Sequence, residues 1–304
     1  MKKNVLVTVV FALVFLAGLS VMLYPKVSNY LNSLSQSQVI ASYKEALANL
    51  SEEDYSEIIQ AAQEYNRKLM YNQHRFKMTD EEHAEYFTML NFTGTGIIGT
   101  IEVEMLNINL PIYLGTREEI LQVGAGHLEG SSLPIGGPGV HSVITGHRGL
   151  PSSTLFTHAD RLDIGDMIVL NILKEKLHYQ IDHIVIVDPG NFDYLGIDAN
   201  EDYCTLITCT PYGINSHRML IRGIRVFPEE GAALAARRAP TEEAKQLNRY
   251  AQYGISTIPA ILLTVMFSLV RSAVTKSKQK KPAVPASALR KAQAPLQIKK
   301  VSDV

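Results

Sequence analysis

Thr205-Leu206-Ile207-Thr208-Cys209-Thr210-Pro211-Tyr212-Gly213-Ile214-Asn215-Ser216-His217-Arg218 opens as one strand and ends as the start of another. β-prone residues run up to Cys209, Pro211 and Gly213 interrupt them, and Asn215 and Ser216 suit a loop. Arg218-Met219-Leu220-Ile221-Arg222 resumes an extended pattern. A cysteine thus closes one strand and an arginine opens the next. A hairpin-like return brings the two side chains together. A thiol beside a guanidinium is a candidate nucleophile, because positive charge favours the thiolate.

Upstream of this hairpin the pattern keeps a period of two. Residues 97–104, 107–113, 140–145, 167–173 and 177–187 read as strands, with Pro111 marking an edge or a bend. Residues 218–227 complete the set. The stretch 124–139 is glycine-rich and reads as loop. It is no phosphate cradle, since the Walker spacing and its lysine are absent. Many short strands punctuated by Gly and Pro predict a β-barrel or sandwich of roughly 130 residues.

The preceding text, residues 25–90, is helical. Val39, Tyr43, Ala46, Leu47 and Leu50 recur at helical spacing. Ser51-Glu52-Glu53-Asp54 opens a second helix as a capping box. Its apolar face is Tyr55, Ile58, Ile59, Ala62, Tyr65 and Leu69. Thr79-Asp80-Glu81-Glu82 repeats the signal before Tyr86, Phe87 and Leu90. This segment is either a stalk or a cover over the site, and spacing alone does not choose.

Both ends of the 304-residue chain are apolar. Residues 5–23 carry no charge, nor do residues 254–270, and both approach the roughly 20 residues that cross a bilayer. The first reads as an uncleaved anchor rather than a signal peptide, because no Ala-x-Ala site follows it. Lys2 and Lys3 precede it, and a basic tail starting at Arg271 follows the second run. By the positive-inside rule both termini are cytoplasmic and the middle lies outside. Without the tail and the two leading lysines the chain keeps 18 basic against 29 acidic residues, which argues against a nucleic-acid partner. The expected layout is an anchor over 1–24, a helical segment over 25–90, a barrel over 91–228, a juxtamembrane segment over 229–252, a transmembrane helix over 253–270 and a tail over 271–304.

Cys204 and Cys209 are the only cysteines. Five positions along a straight strand separate them by roughly 16 Å, and a disulfide needs Cα atoms within about 7 Å. The odd spacing puts them on opposite faces. Cys204 reads as a small buried hydrophobe. A thiol with an ordinary pKa of about 8.5 is mostly protonated at neutral pH, so the nucleophile needs a base or a cation. Among nine histidines, His127 and His141 read as structural hydrogen bonders, and His217 faces away from its neighbour Arg218. His147 closes a strand just after Gly146, where a ring can project into a cleft.

These stretches together resemble the class C, pilin-polymerising sortases of Gram-positive bacteria. The resemblance rests on the segment 205–212 with Asn215 to Gly223, and on Leu110-Pro111-Ile112-Tyr113-Leu114-Gly115-Thr116. Residues 126–134 and His141-Ser142-Val143-Ile144-Thr145-Gly146-His147-Arg148-Gly149-Leu150-Pro151 match it as well. It covers residues 90–228 or so. It implies an eight-stranded sortase barrel, a membrane segment at each end, and a triad of Cys209 as nucleophile, His147 as general acid/base and Arg218 as oxyanion stabiliser. Arg222, on the same strand face as Arg218, is left structural. The implied reaction cleaves an LPxTG-like sorting signal between Thr and Gly and passes the acyl group to a pilin lysine. No metal and no organic cofactor is implied; the implied partners are pilin subunits and the membrane. One departure stands out. The family's Asp-Pro-aromatic lid triplet is missing from residues 60–95, where His74-Arg75-Phe76 is the nearest text. A lid that is absent, short or weakly anchored is therefore expected. The alternatives are a wall-anchoring transpeptidase or cysteine peptidase of the same Cys-His-Arg type, and a structural protein in which Cys209 is dispensable.

Overall fold

A computed structural model describes residues 2–227 together with Thr264, Phe267, Ser268, Arg271 and Ser272. The chain divides into two units, residues 1–21 with 248–304, and residues 22–247. The expected second span, the juxtamembrane segment and the basic tail lie outside the described residues, save those isolated positions. In the first unit the apolar run begins helix α1 (Lys2–Ala48). Among the described residues this is the helix long and apolar enough to cross a membrane.

The second unit is built on a closed barrel of eight strands. They are β1 (Ile97–Val103), β2 (Ile108–Leu114), β3 (Ala125–His127), β4 (Val140–Thr145), β5 (Met167–Ile172), β6 (Glu175–Val187), β7 (Asp202–Thr210) and β8 (His217–Val226). Their order around the barrel is β1-β2-β3-β4-β7-β8-β6-β5. The hairpin of residues 202–226 is therefore two neighbouring strands, as its sequence predicts. β7 runs parallel to β4 and antiparallel to β8. Alternation along β7 sends Cys204 and Leu206 into the core and Thr205, Ile207 and Cys209 outward.

The glycine-rich stretch contains a strand the sequence does not announce. β3 spans three residues and pairs with β2 and β4. Gly126 is required there, because a Cβ would collide with the Gly115 carbonyl.

The helical segment is a buttress. Beyond α1 come α2 (Glu52–Tyr71) and α3 (Asp80–Tyr86), capped by Ser51 and by a capping box on Thr79 and Glu82. Tyr65 and Leu69 of α2 and Tyr86 of α3 join the cluster that fills the barrel. Burying each such side chain contributes about 1.5–3 kcal/mol. Polar clasps fix the docking. Asn66 donates to the Leu133 carbonyl at 2.9 Å and accepts from the Leu133 amide at 2.7 Å. The Tyr86 hydroxyl donates to the His127 carbonyl at 3.0 Å and accepts from Gly115 N–H at 2.9 Å. From α1, Tyr43 donates to the Ile98 carbonyl at 3.0 Å.

Candidate active site

β7 is the middle of three strands that carry the predicted residues. Cys209 pairs directly with Arg218 across the β7–β8 ladder. On its other side the parallel β4–β7 ladder ends at Thr145 paired with Ile207. Two residues further on each chain stand His147 and Cys209. Neighbouring strands lie about 4.8 Å apart, so the register sets positions 147, 209 and 218 side by side in a row. Gly146 holds His147 to this course, its N–H donating to the Ile207 carbonyl at 3.1 Å and its own carbonyl accepting from Thr208 Oγ1 at 2.9 Å. A side chain at 146 would meet the buried Phe156 ring at 2.8 Å.

The floor beside this row is apolar. Val143, Val187, Leu195 and Leu220 form a second, smaller cluster, joined by Leu128, Ile207 and Phe76. A groove of about 240 Å³ opens over it, lined by Thr145, Ile207, Leu220, Phe192 and Leu195, with Arg218 on its wall. Ile207 and Cys209 are successive outward residues of β7, so the groove leads to the thiol. It suits an extended peptide with apolar side chains.

The groove's far wall is the loop between β6 and β7, and three contacts pin it. His141 bonds the Gly196 carbonyl at 2.7 Å through Nδ1 and Thr205 Oγ1 at 2.8 Å through Nε2. Burial pushes this ring's pKa down to about 4, so it is neutral. Gly196 accepts from Nδ1–H, and Nε2 accepts the Thr205 hydroxyl proton. Arg75 donates to the Leu195 carbonyl at 2.6 Å. Phe76 stacks on Phe192 with centroids 4.4 Å apart and planes at 16°. The text His74-Arg75-Phe76 thus lies on this loop as a strap between α2 and α3.

Two residues to which the sequence assigns no role adjoin the row. His147 Nε2 lies 3.3 Å from both carboxylate oxygens of Glu118, which opens the one-turn helix α4 (Glu118–Leu121). The Gln122 amide first and the His147 ring next hold the Glu118 carboxyl below its usual range. Arg148 turns into the protein, with Nε on the Thr157 carbonyl at 3.2 Å, Nη1 on Thr210 Oγ1 at 3.2 Å and Nη2 on Asp160 at 3.0 Å. It ties the loop after His147 to the residue after Cys209.

The remaining predicted residues are accounted for. Arg218 Nη1 donates to the Asn215 and His217 carbonyls at 3.2 and 3.1 Å, leaving the rest of the fork toward the groove. Arg222 is engaged by Asp182 through two bonds of 3.1 and 2.6 Å and covers the Tyr203 ring. His217 contacts Ser216 and Asp188. Both cysteines are free thiols, and burial pushes Cys204 up to about 12, which makes it inert. Among the described residues no group of three or more His, Cys, Asp and Glu could hold a metal ion.

Residues 101–226 match the model of the sortase domain. Sortase C1 of Streptococcus agalactiae is 45% identical with a TM-score of 0.60, the match covering 62% of this chain and 98% of that one. The chain belongs to the sortase family. Its structural likeness is to class C sortases. Sortase C of Clostridium perfringens, crystallised with the C-terminal cell wall sorting motif, is 40% identical with a TM-score of 0.56, over 63% of this chain and 99% of that one. Sortase D of Bacillus subtilis is 30% identical over 131 residues, which are 42% of this chain and 63% of that sortase. This sortase thus spans somewhat less than two thirds of the length of that relative.

Proposed function

We propose that this sortase is a membrane-anchored cysteine transpeptidase that joins pilin subunits. The reading rests on the row of His147, Cys209 and Arg218 beside an apolar groove. Among the structural relatives, one sortase C of Streptococcus pneumoniae is described in terms of pilin substrate specificity, and the C. perfringens one carries a cell wall sorting motif. The N-terminal run holds the barrel at the outer face of the plasma membrane.

In this reading an LPxTG-like sorting signal lies along the groove with its Thr–Gly carbonyl over Cys209. The Cys209 thiolate attacks the carbonyl carbon, and Arg218 stabilises the developing oxyanion. The C–N bond breaks as His147 gives its proton to the departing glycine amine. A thioester remains. A pilin lysine amine then attacks it, His147 takes the amine proton, and the C–S bond breaks to return the Cys209 thiolate. The product is an isopeptide bond, and no external co-reactant is consumed.

The test uses the full-length chain in detergent with an LPxTG peptide and a pilin domain bearing the acceptor lysine. Mass spectrometry is expected to find a covalent adduct on Cys209 that ends at the threonine, and lysine-linked product once pilin is added. Free acid alone would favour a peptidase; no adduct, or product that survives Cys209→Ala, would reject the reading.

A further inference from the structure

A carboxylate stands against the one histidine of the row. His147 Nε2 is 3.3 Å from Glu118 Oε1 and 3.3 Å from Oε2, and the ring is only 27% exposed although Glu118 is 64% exposed. The carboxylate does not reach the ring by free rotation alone. α4 seats it: Ile120 and Leu121 N–H donate to the Arg117 carbonyl at 3.0 and 3.1 Å, and Leu121 packs where β3 has only Gly126. Gln122, one turn on, donates to Oε1 of the same carboxylate at 2.5 Å.

The consequence for the ring is chemical. A carboxylate at Nε2 favours a proton there, because it accepts from N–H and repels a lone pair. The neutral imidazole is then the Nε2–H tautomer, with Nδ1 free to exchange a proton. We infer that Glu118 is a positioning residue of the active site, which fixes the tautomer of His147 and leaves Nδ1 for the reacting atoms. This rests on the function proposed above, in which His147 moves the proton.

Glu118→Gln removes the charge of this carboxylate and keeps its shape. The experiment records the ring-nitrogen shifts of His147 by NMR in the detergent-solubilised full chain at one alkaline pH, wild type against Glu118→Gln and Glu118→Asp, with His147→Gln identifying the signals. Wild type is expected to carry the proton of the neutral ring mainly on Nε2, Glu118→Gln to raise the share on Nδ1 about threefold, and Glu118→Asp to keep most of the wild-type pattern. On an LPxTG peptide kcat should fall about tenfold in Glu118→Gln with KM little changed. An unchanged tautomer ratio, or a changed ratio with unchanged kcat, overturns the inference. If wild type leaves the peptide intact, the proposed function fails, while the nitrogen shifts still report on the pair.

Discussion

Cys209 and Arg218 are direct partners across the β7–β8 ladder, two outward-facing side chains fixed by register and not by loop conformation. The arginine reaches the site from the first turn of its strand, where Asn215 and His217 carbonyls hold one nitrogen of the fork. Arg218→Ala is expected to lower kcat about 100-fold to 1,000-fold with little change in KM, the scale of losing one oxyanion donor. Arg218→Lys should recover little, because an ammonium lacks the planar fork. Steady-state kinetics on a sorting-signal peptide checks both.

Acid should loosen the barrel. Burial holds His127 and His141 near a pKa of about 4, against 6.5 for a free ring. Between those values the unfolded chain binds more protons than the folded one, so stability falls as pH falls. Each ring can contribute up to about 3 kcal/mol to that loss, which is complete near pH 4. Burial raises the Asp202 carboxyl, and this acts in the opposite direction at the acid end. Thermal unfolding at pH 7, 5.5 and 4 should show the decline. His141→Asn should be less stable at pH 7 with a flatter slope.

The strap should matter to the groove's wall. Phe76→Ala removes the stack on Phe192, worth about 0.5–1.5 kcal/mol beyond its buried area. Arg75→Ala leaves the Leu195 carbonyl without its donor, at about 1–3 kcal/mol. Both variants are expected to speed amide exchange over residues 190–197 while β7 stays protected. Equal exchange with wild type would show that the strap does not hold the loop.

Arg148 is a test of a buried clasp. Arg148→Ala removes the donor to Thr157, Thr210 and Asp160 together, and about 2–3 kcal/mol of stability should go with it. Arg148→Lys should restore the ion pair and not the other bonds. Denaturant unfolding measures the difference.

Much of this was legible because strands write their period into sequence. The alternation over residues 97–113 and 140–187 predicts the barrel strands to within a residue or two, and the Cys209–Arg218 pairing follows from one strand, a Pro-Gly turn and the next strand. β3 escapes because three residues, one of them glycine, carry no period. His147 as a partner of Cys209 came from the family resemblance, since a parallel ladder between residues 140–145 and 202–207 joins segments too far apart for local pattern to align. Glu118 reads as an ordinary solvated charge in Arg117-Glu118-Glu119, and only the three-dimensional placement of α4 singles it out. The helical segment was recognised, but whether it was stalk or cover depended on where Asn66, Tyr65 and Tyr86 found partners, which is a tertiary matter.

The two ladders that meet at β7 run without a break, whereas β1–β2 and β6–β8 each contain an irregularity. Inserting or deleting a single residue within 140–147 or 202–209 would reverse the parity of everything beyond it and bury the sulfur or the imidazole in the core. Length can therefore drift in the connecting loops as the protein diverges, while the central segments tolerate only exchange of one side chain for another.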